Sequence, residues 1–389
     1  MEIQLLNLHL SQLINAWSKS KLNIYSDIDK KEYHNNLNSL LHNLINEDFS
    51  KINPVEKKEI KSIIDFLFKS LEFLDNSTLN STPFEIVQCL KAALKVWTDE
   101  DNYIIVTSLN NNLLSFSFDE TLAFNEDIYH IIKNKYKIEF KKRLIQINLP
   151  QNLSKDYLAN VVLYHELGHF IDLKYRISET LTHLILFNAT KLEKREKLDI
   201  IKFFPYITEA DFEGDIKKNS LMLSYHLGEY FSDIFAAQFI DDCSNHYLKY
   251  ITENSTQFSF SHPSTVNRIA LVELFMNNKF DGFVINNLIS ATNHITGKQI
   301  EKQFEKINGA DLIKLLPIEI ENDKQLHSLF IIGWQIWLSE VSEFKKTNDM
   351  QFELPPSGAY QIINNLIEKS ISNYFVKIGW NKAKSDVSS

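Results

Sequence analysis

Residues 165–169 read His-Glu-Leu-Gly-His. Two histidines at i and i+4 of a helix lie about 40° apart around its axis, so both imidazoles reach one metal ion from the same face. Glu166, one step round, can face a water held by that ion and take its proton. The run before the motif, 157–164 (YLANVVLY), is apolar enough for a buried helix, and Phe170, Ile171 and Leu173 continue the pattern beyond it. A charged Glu between two His on such a helix is costly without a metal or a partner. A core helix with two satisfied histidines is the plainer alternative. Leu167 is apolar, and Gly168 reads as a residue that leaves room beside the ion.

A helical zinc pair needs a third protein ligand and an open position for water. Asp172 and Tyr175 stand where an HExxHxxGxxH/D motif has its Gly and its last ligand, which excludes that class. Residues 222–240 (MLSYHLGEYFSDIFAAQFI) form a long helical pattern in which Glu229 and, four residues on, Asp233 share one face. Buried carboxylates need a cation or hydrogen-bond donors. Glu229 as the third ligand, with Asp233 accepting the free N–H of a ligand histidine, satisfies both. Pairing of the two acids to Lys or Arg at a helix edge is the alternative. His226, one turn before Glu229, is a rival ligand that would give a three-histidine site with Glu229 behind it. Further on, residues 261–265 read Ser-His-Pro-Ser-Thr, followed by Arg268 and Ile269. Pro263 among Ser and Thr marks a helix start, with His262 at its mouth and Arg268 in the following turns.

Taken together, the three segments resemble the gluzincin metallopeptidases of the CAAX prenyl protease and HtpX group, which carry HExxH, a glutamate ligand in a later E-x-x-x-D helix and an HP-x(4)-R segment. The resemblance spans 140–275. It implies one Zn2+ per chain bound by His165, His169 and Glu229, with Glu166 as general base. It also implies that His262, together with Arg268, stabilises the oxyanion formed on a peptide or protein substrate. Two departures stand out. Ser232 replaces the Ala that often precedes the helix aspartate, and the best-known members are embedded in membranes.

This chain reads as soluble. Its strongest apolar run, 329–338 (LFIIGWQIWL), is interrupted by Gln335 and falls far short of the about 20 residues that a spanning helix needs. The start, MEIQLLNLHLSQLINAW, lacks a basic stretch and a small-residue cleavage site, and reads as an amphipathic helix. Only Cys89 and Cys243 are present, which fits a reducing compartment and points to the cytoplasm. A net charge of −9 with interspersed signs gives no footprint for nucleic acid, and 191–197 (KLEKREK) reads as a solvated helix face.

The expected fold class is α+β and predominantly helical: a zincin-like metallopeptidase core with a small β-sheet at 99–280, between helical regions at 1–98 and 281–389. The first region shows amphipathic runs at 5–17, 33–45, 54–74 and 83–97. Residues 103–109 and 113–118 flank Asn110-Asn111-Asn112 and read as a hairpin, and 143–149 reads as a strand ending at Pro150. In a zincin layout the strand nearest the metal is an edge that pairs with extended substrate; 143–149 is the candidate and the hairpin its competitor. Residues 172–222 read as a helical insertion in which His183 is core or surface. Helices are expected at 269–277, 283–289, 298–306, 326–344 and 359–375, with Trp334 and Trp337 in the core and a disordered tail at 382–389. No nucleotide loop, repeat or Cys/His cluster appears.

These readings point to a zinc-dependent metalloendopeptidase. The alternative is a non-catalytic interaction or regulatory protein with a zinc-stabilised core. A protease held latent by its helical flanks, until a regulatory partner or substrate engages, combines the two.

Overall fold

The computed structural model describes residues 2–25, 27–78, 84–98, 102–112, 116–214, 216–252, 255–350 and 354–388. Its class is α+β, predominantly helical with one small three-stranded sheet. Two compact units divide the chain, Met1–Ser154 and Lys155–Ser389.

The first unit begins with four helices: α1 (Glu2–Ser20), α2 (Ile28–Ile45), α3 (Pro54–Asp75) and α4 (Phe84–Trp97). Asn53 caps α3 by accepting from the amides of Val55 and Glu56, while Glu56 reaches back to the Asn53 amide, which satisfies donors that the helix itself leaves open. Residue 83, where the sequence pattern starts the fourth helix, lies outside the described residues. Strands β1 (Tyr103–Asn110) and β2 (Ser117–Asp119) precede α5 (Glu126–Tyr136) and β3 (Arg143–Pro150). The order in the sheet is β1-β3-β2, so the expected hairpin does not form. Instead β1 runs parallel to β3, Tyr103 opposite Arg143 and Asn110 opposite Pro150, and β2 pairs antiparallel to β3. Residues 113–115 of the expected second strand lie outside the described residues. Parallel neighbours need a crossover, and α5 lies within it. Both long strands carry continuous buried stretches, Ile104–Ile105–Val106 and Leu144–Ile145, the habit of parallel strands covered on both faces. Because β3 is central, it is not the free edge expected for substrate pairing. Leu37, Leu40, Ile60, Ile63, Leu67 and Phe73 join Ile104, Val106 and Leu144 in one core.

The second unit contains α6 (Val162–Tyr175), α7 (Ile177–Asn188), α8 (Lys194–Phe203), α9 (Glu209–Glu213), α10 (Ser220–Ile240), α11 (Cys243–Thr252), α12 (Thr265–Met276), α13 (Phe283–Thr296), α14 (Ala310–Ile313), α15 (Asp323–Gln335), α16 (Val341–Thr347) and α17 (Pro356–Ser388). Helix α10 is its axis. Every residue from His226 to Ile240 is buried, and α6, α7, α12 and α15 pack around it. Three expectations fail here. Residues 298–306 are irregular rather than helical: α13 stops at Gly297 in a left-handed conformation, and the segment bonds outward, the Gln303 amide to the Gln238 carbonyl and the Ile300 amide to Asn293. Tertiary partners thus replace the intrahelical ladder. Trp334 is buried, its Nε1 donating to the Leu158 carbonyl, but Trp337 is only half-buried, against Tyr360. Finally, α17 continues through the tail expected to be disordered, as far as Ser388. Among the described residues no helix is long and apolar enough to cross a membrane.

Candidate metal centre

Helix α6 buries Leu163, Tyr164, Leu167, Phe170 and Ile171, and this apolar face fixes its rotation against the unit's core. That rotation turns His165 and His169 to one side. A Cβ on Gly168 would lie 2.7 Å from the Ser232 Cα and 3.1 Å from the Phe235 Cβ, so the glycine permits contact between α6 and α10. The expected role of Gly168 beside the ion is therefore corrected: it faces the neighbouring helix. Gly228 does the converse, a Cβ there meeting Asp172 Oδ2 at 3.1 Å. The two contacts, 168 with 232 and 172 with 228, set the helices antiparallel and bring Glu229 opposite the histidines.

There the ligand-type atoms converge. His165 Nε2 and His169 Nε2 are 3.0 Å apart, and each lies 3.4 Å from an oxygen of Glu229, Oε2 and Oε1 respectively. A point about 2 Å from all three is at Zn–N and Zn–O bonding distance, and three protein donors leave a fourth position of a tetrahedron open. His165, His169 and Glu229 are a buried or half-buried group that can hold a metal ion. Glu229 Oε2 is buried and faces the Arg268 guanidinium and His165 without a well-formed hydrogen bond, while Oε1 turns towards His169 and His262.

The surroundings have the same logic. Asp233 Oδ1 lies 2.9 Å from His165 Nδ1, which places the proton on Nδ1 and leaves Nε2 a lone pair directed at the ion position. Arg268, on α12, donates from Nε and Nη2 to the two oxygens of Asp233 at 2.7 Å each, and its Nη1 is 3.2 Å from Glu229 Oε2. Two buried carboxylates against one guanidinium leave a negative charge in a dry site, which draws in a proton or a cation. Burial opposes charge on His165, but the hydrogen bond and charge of Asp233, with Glu229, outweigh it and push its pKa up to about 10. Glu229 is held well below the usual carboxylate range despite its burial, by the Arg268 guanidinium and by both histidines. Asp233 is likewise lowered against its burial, by Arg268 first and His165 next. A proton and a divalent cation therefore compete for His165.

His169 and Glu166 are half-buried, on the open side. Glu166 forms no hydrogen bond among the described residues, though its charge reaches Arg268 and helps to keep the guanidinium protonated. His262 stands at the rim, its side chain 58% exposed, with Nε2 3.5 Å from Glu229 Oε1 and Nδ1 2.8 Å from Ser261 Oγ. His226 is not in the cluster. It is fully buried among Phe204, Tyr206 and Phe258, with Nε2 2.9 Å from the Ser259 carbonyl, so the rival three-histidine set does not assemble. His183 is a surface residue near Glu179. Sequence reasoning offered pairing of the two acids to Lys or Arg only as the alternative to a metal site and did not name Arg268, which holds both. The available signal was a helical acid pair with no basic residue in its own segment, followed by a single arginine on the helix after Pro263.

No protein-family model, curated protein or solved structure matches this chain.

Proposed function

We propose that the chain is a zinc-dependent endopeptidase of gluzincin type, hydrolysing peptide bonds in a protein or peptide substrate. The observation that supports this is the convergence of two imidazoles and one carboxylate beside an unengaged glutamate. His165, His169 and Glu229 would hold the metal. Zinc bound there supplies a Lewis acid that polarises a peptide carbonyl and acidifies a water molecule. Glu166 accepts the proton of the attacking water and returns it to the leaving amine. His262 donates from Nε2 to the oxygen that becomes negative as the carbonyl is attacked, an interaction commonly contributing about 2.7–4 kcal/mol. Asp233 fixes the tautomer and rotation of His165. Arg268, expected to share in oxyanion stabilisation, spends its three nitrogens on Asp233 and Glu229; we assign it to positioning those carboxylates.

The test is metal content together with cleavage of unfolded casein. About one zinc per chain is expected, abolished in His169→Ala. Glu166→Gln is expected to keep the metal and lose about 10²–10⁴-fold in kcat, the usual worth of a general base. A chain that binds zinc but cleaves nothing, with or without Glu166, would be a metal-stabilised interaction protein.

A further inference from the structure

The buried histidine outside the metal cluster has a job that follows from what it touches. His226 lies one turn before Glu229 on α10, fully buried. Its Nε2 is 2.9 Å from the carbonyl oxygen of Ser259, an acceptor only, so Nε2 carries the proton. Among the described residues Nδ1 has no hydrogen-bond partner, and burial pulls the ring's pKa down, which favours the neutral ring with Nε2–H as its donor. Ser259 in turn is tied twice to His262. The Ser259 amide donates to the His262 carbonyl at 2.9 Å, and the His262 amide donates to Ser259 Oγ at 3.0 Å. The same tip packs by side chains: Phe258 against His226 and Tyr206, Phe260 against Tyr225. Below it the Val266 amide reaches the Ser255 carbonyl at 3.4 Å, and α12 begins at its Ser264 cap. Without His226, nothing on α10 hydrogen-bonds the 258–262 tip among the contacts described. Helix α10 therefore holds the metal ligand Glu229 and, one turn earlier, the post on which the His262 loop is set.

We propose that His226 is a positioning residue: through the Ser259 carbonyl it fixes the 258–262 turn, so that the His262 imidazole stands over Glu229 at the height where the oxyanion forms. This rests on the peptidase reading for its catalytic consequence, though not for its structural one. A rigid donor stabilises a developing charge without reorganising first, which is why the anchor acts on turnover more than on substrate affinity.

Two variants test it. His226→Phe keeps the ring packing and removes the donor, whereas His226→Gln returns an N–H near the place of Nε2. Hydrogen exchange of the 258–262 amides should speed up about 10-fold or more in His226→Phe and return towards wild type in His226→Gln, with zinc content the same in all three. On casein, His226→Phe should lower kcat about as much as His262→Phe with little change in KM, and the double variant should lose no more than either alone. Unchanged exchange in a folded His226→Phe protein overturns the proposal whatever the activity. Loss of zinc overturns it too, since His226 would then act on Glu229 itself. Losses that multiply in the double variant would have the same meaning. If cleavage is absent in the wild type, the peptidase reading fails, while the exchange result still decides what His226 does.

Discussion

Each unit of this chain has a buried histidine close to an aspartate, and the two are built to opposite ends. In the first unit, Ser20 Oγ donates to Asp75 Oδ1 at 2.6 Å, Asn23 does the same at 2.6 Å, and His34 Nε2 lies 3.3 Å from that serine, its ring stacked on Trp17. The carboxylate there is met by neutral donors, Ser20 and Asn23, and burial moves the His34 pKa down. In the second unit, Asp233 and Glu229 push His165 the other way, to about 10, and Nε2 of His165 and of His169 lie 3.0 Å apart, close enough to share one proton or to face one cation. The difference separates a structural network from a site. A carboxylate met by neutral hydroxyl and amide donors closes off a helix junction, while imidazole and carboxylate lone pairs converging on a single point ask for a cation.

The comparison can be broken, first, by removing the charge that holds the second cluster together. Arg268→Met leaves Glu229 and Asp233 buried without their guanidinium and should cost about 3–5 kcal/mol in urea unfolding, the typical loss when one partner of a buried pair is deleted. Asp75→Asn in the first unit should cost about 1–2 kcal/mol, since it weakens hydrogen bonds and strands no charge. Equal losses would mean that the two networks do the same work. Next in size is metal removal. On the proposed reading, zinc at a hundred times its dissociation constant adds about 2.7 kcal/mol, so a chelator should raise hydrogen exchange in α6 and α10 and leave α2 and α3 unchanged.

The smallest effect is expected at Lys30, where the first unit accommodates a buried charge by a different route. Its ammonium donates to Ser77 Oγ at 2.6 Å, and burial, offset only in part by Asp27, pulls its pKa down to about 8. Between about pH 8 and the ordinary lysine value near 10.4, the unfolded chain holds a proton that the folded chain has released, so stability rises with pH across that window. Lys30→Met should flatten that rise and add about 1 kcal/mol at pH 7, net of the lost bond to Ser77. Denaturant midpoints measured from pH 7 to 10 in both proteins would show it; a steeper profile in the variant would reverse the assignment.

What could be read in advance follows the range of the interactions. The helices of the first 98 residues and the facing of His165 and His169 are set by periodicities of a few residues, and they are plain in the sequence. The convergence of Glu229 was legible because a carboxylate on a helix as apolar as 222–240 needs a partner. The sheet was not. Asn110-Asn111-Asn112 has turn chemistry, yet a strand some thirty residues later takes the place beside β1, and parallel pairing leaves no local mark. Residues 298–306 have helix-like spacing, but Gln238 and Asn293 offered their backbone better-placed partners. His226 looks like a ligand for the same reason that it is useful: it sits one turn from Glu229, and only the fold shows that its donor meets the Ser259 carbonyl.

The contact at Gly168 has a last consequence, for how the protein fails on heating. Where ligands hang on long side chains or loops, a site can loosen by degrees while the scaffold persists. Here His165, His169 and Glu229 are short levers on two rods touching where a Cβ on Gly168 would meet the backbone of Ser232 at 2.7 Å. The rods cannot slide or roll by an ångström without collision on one side or a void on the other. On the proposed reading, an ion bound between them ties the two helices together, so adding zinc should raise the melting temperature of the α6–α10 pair as one cooperative step.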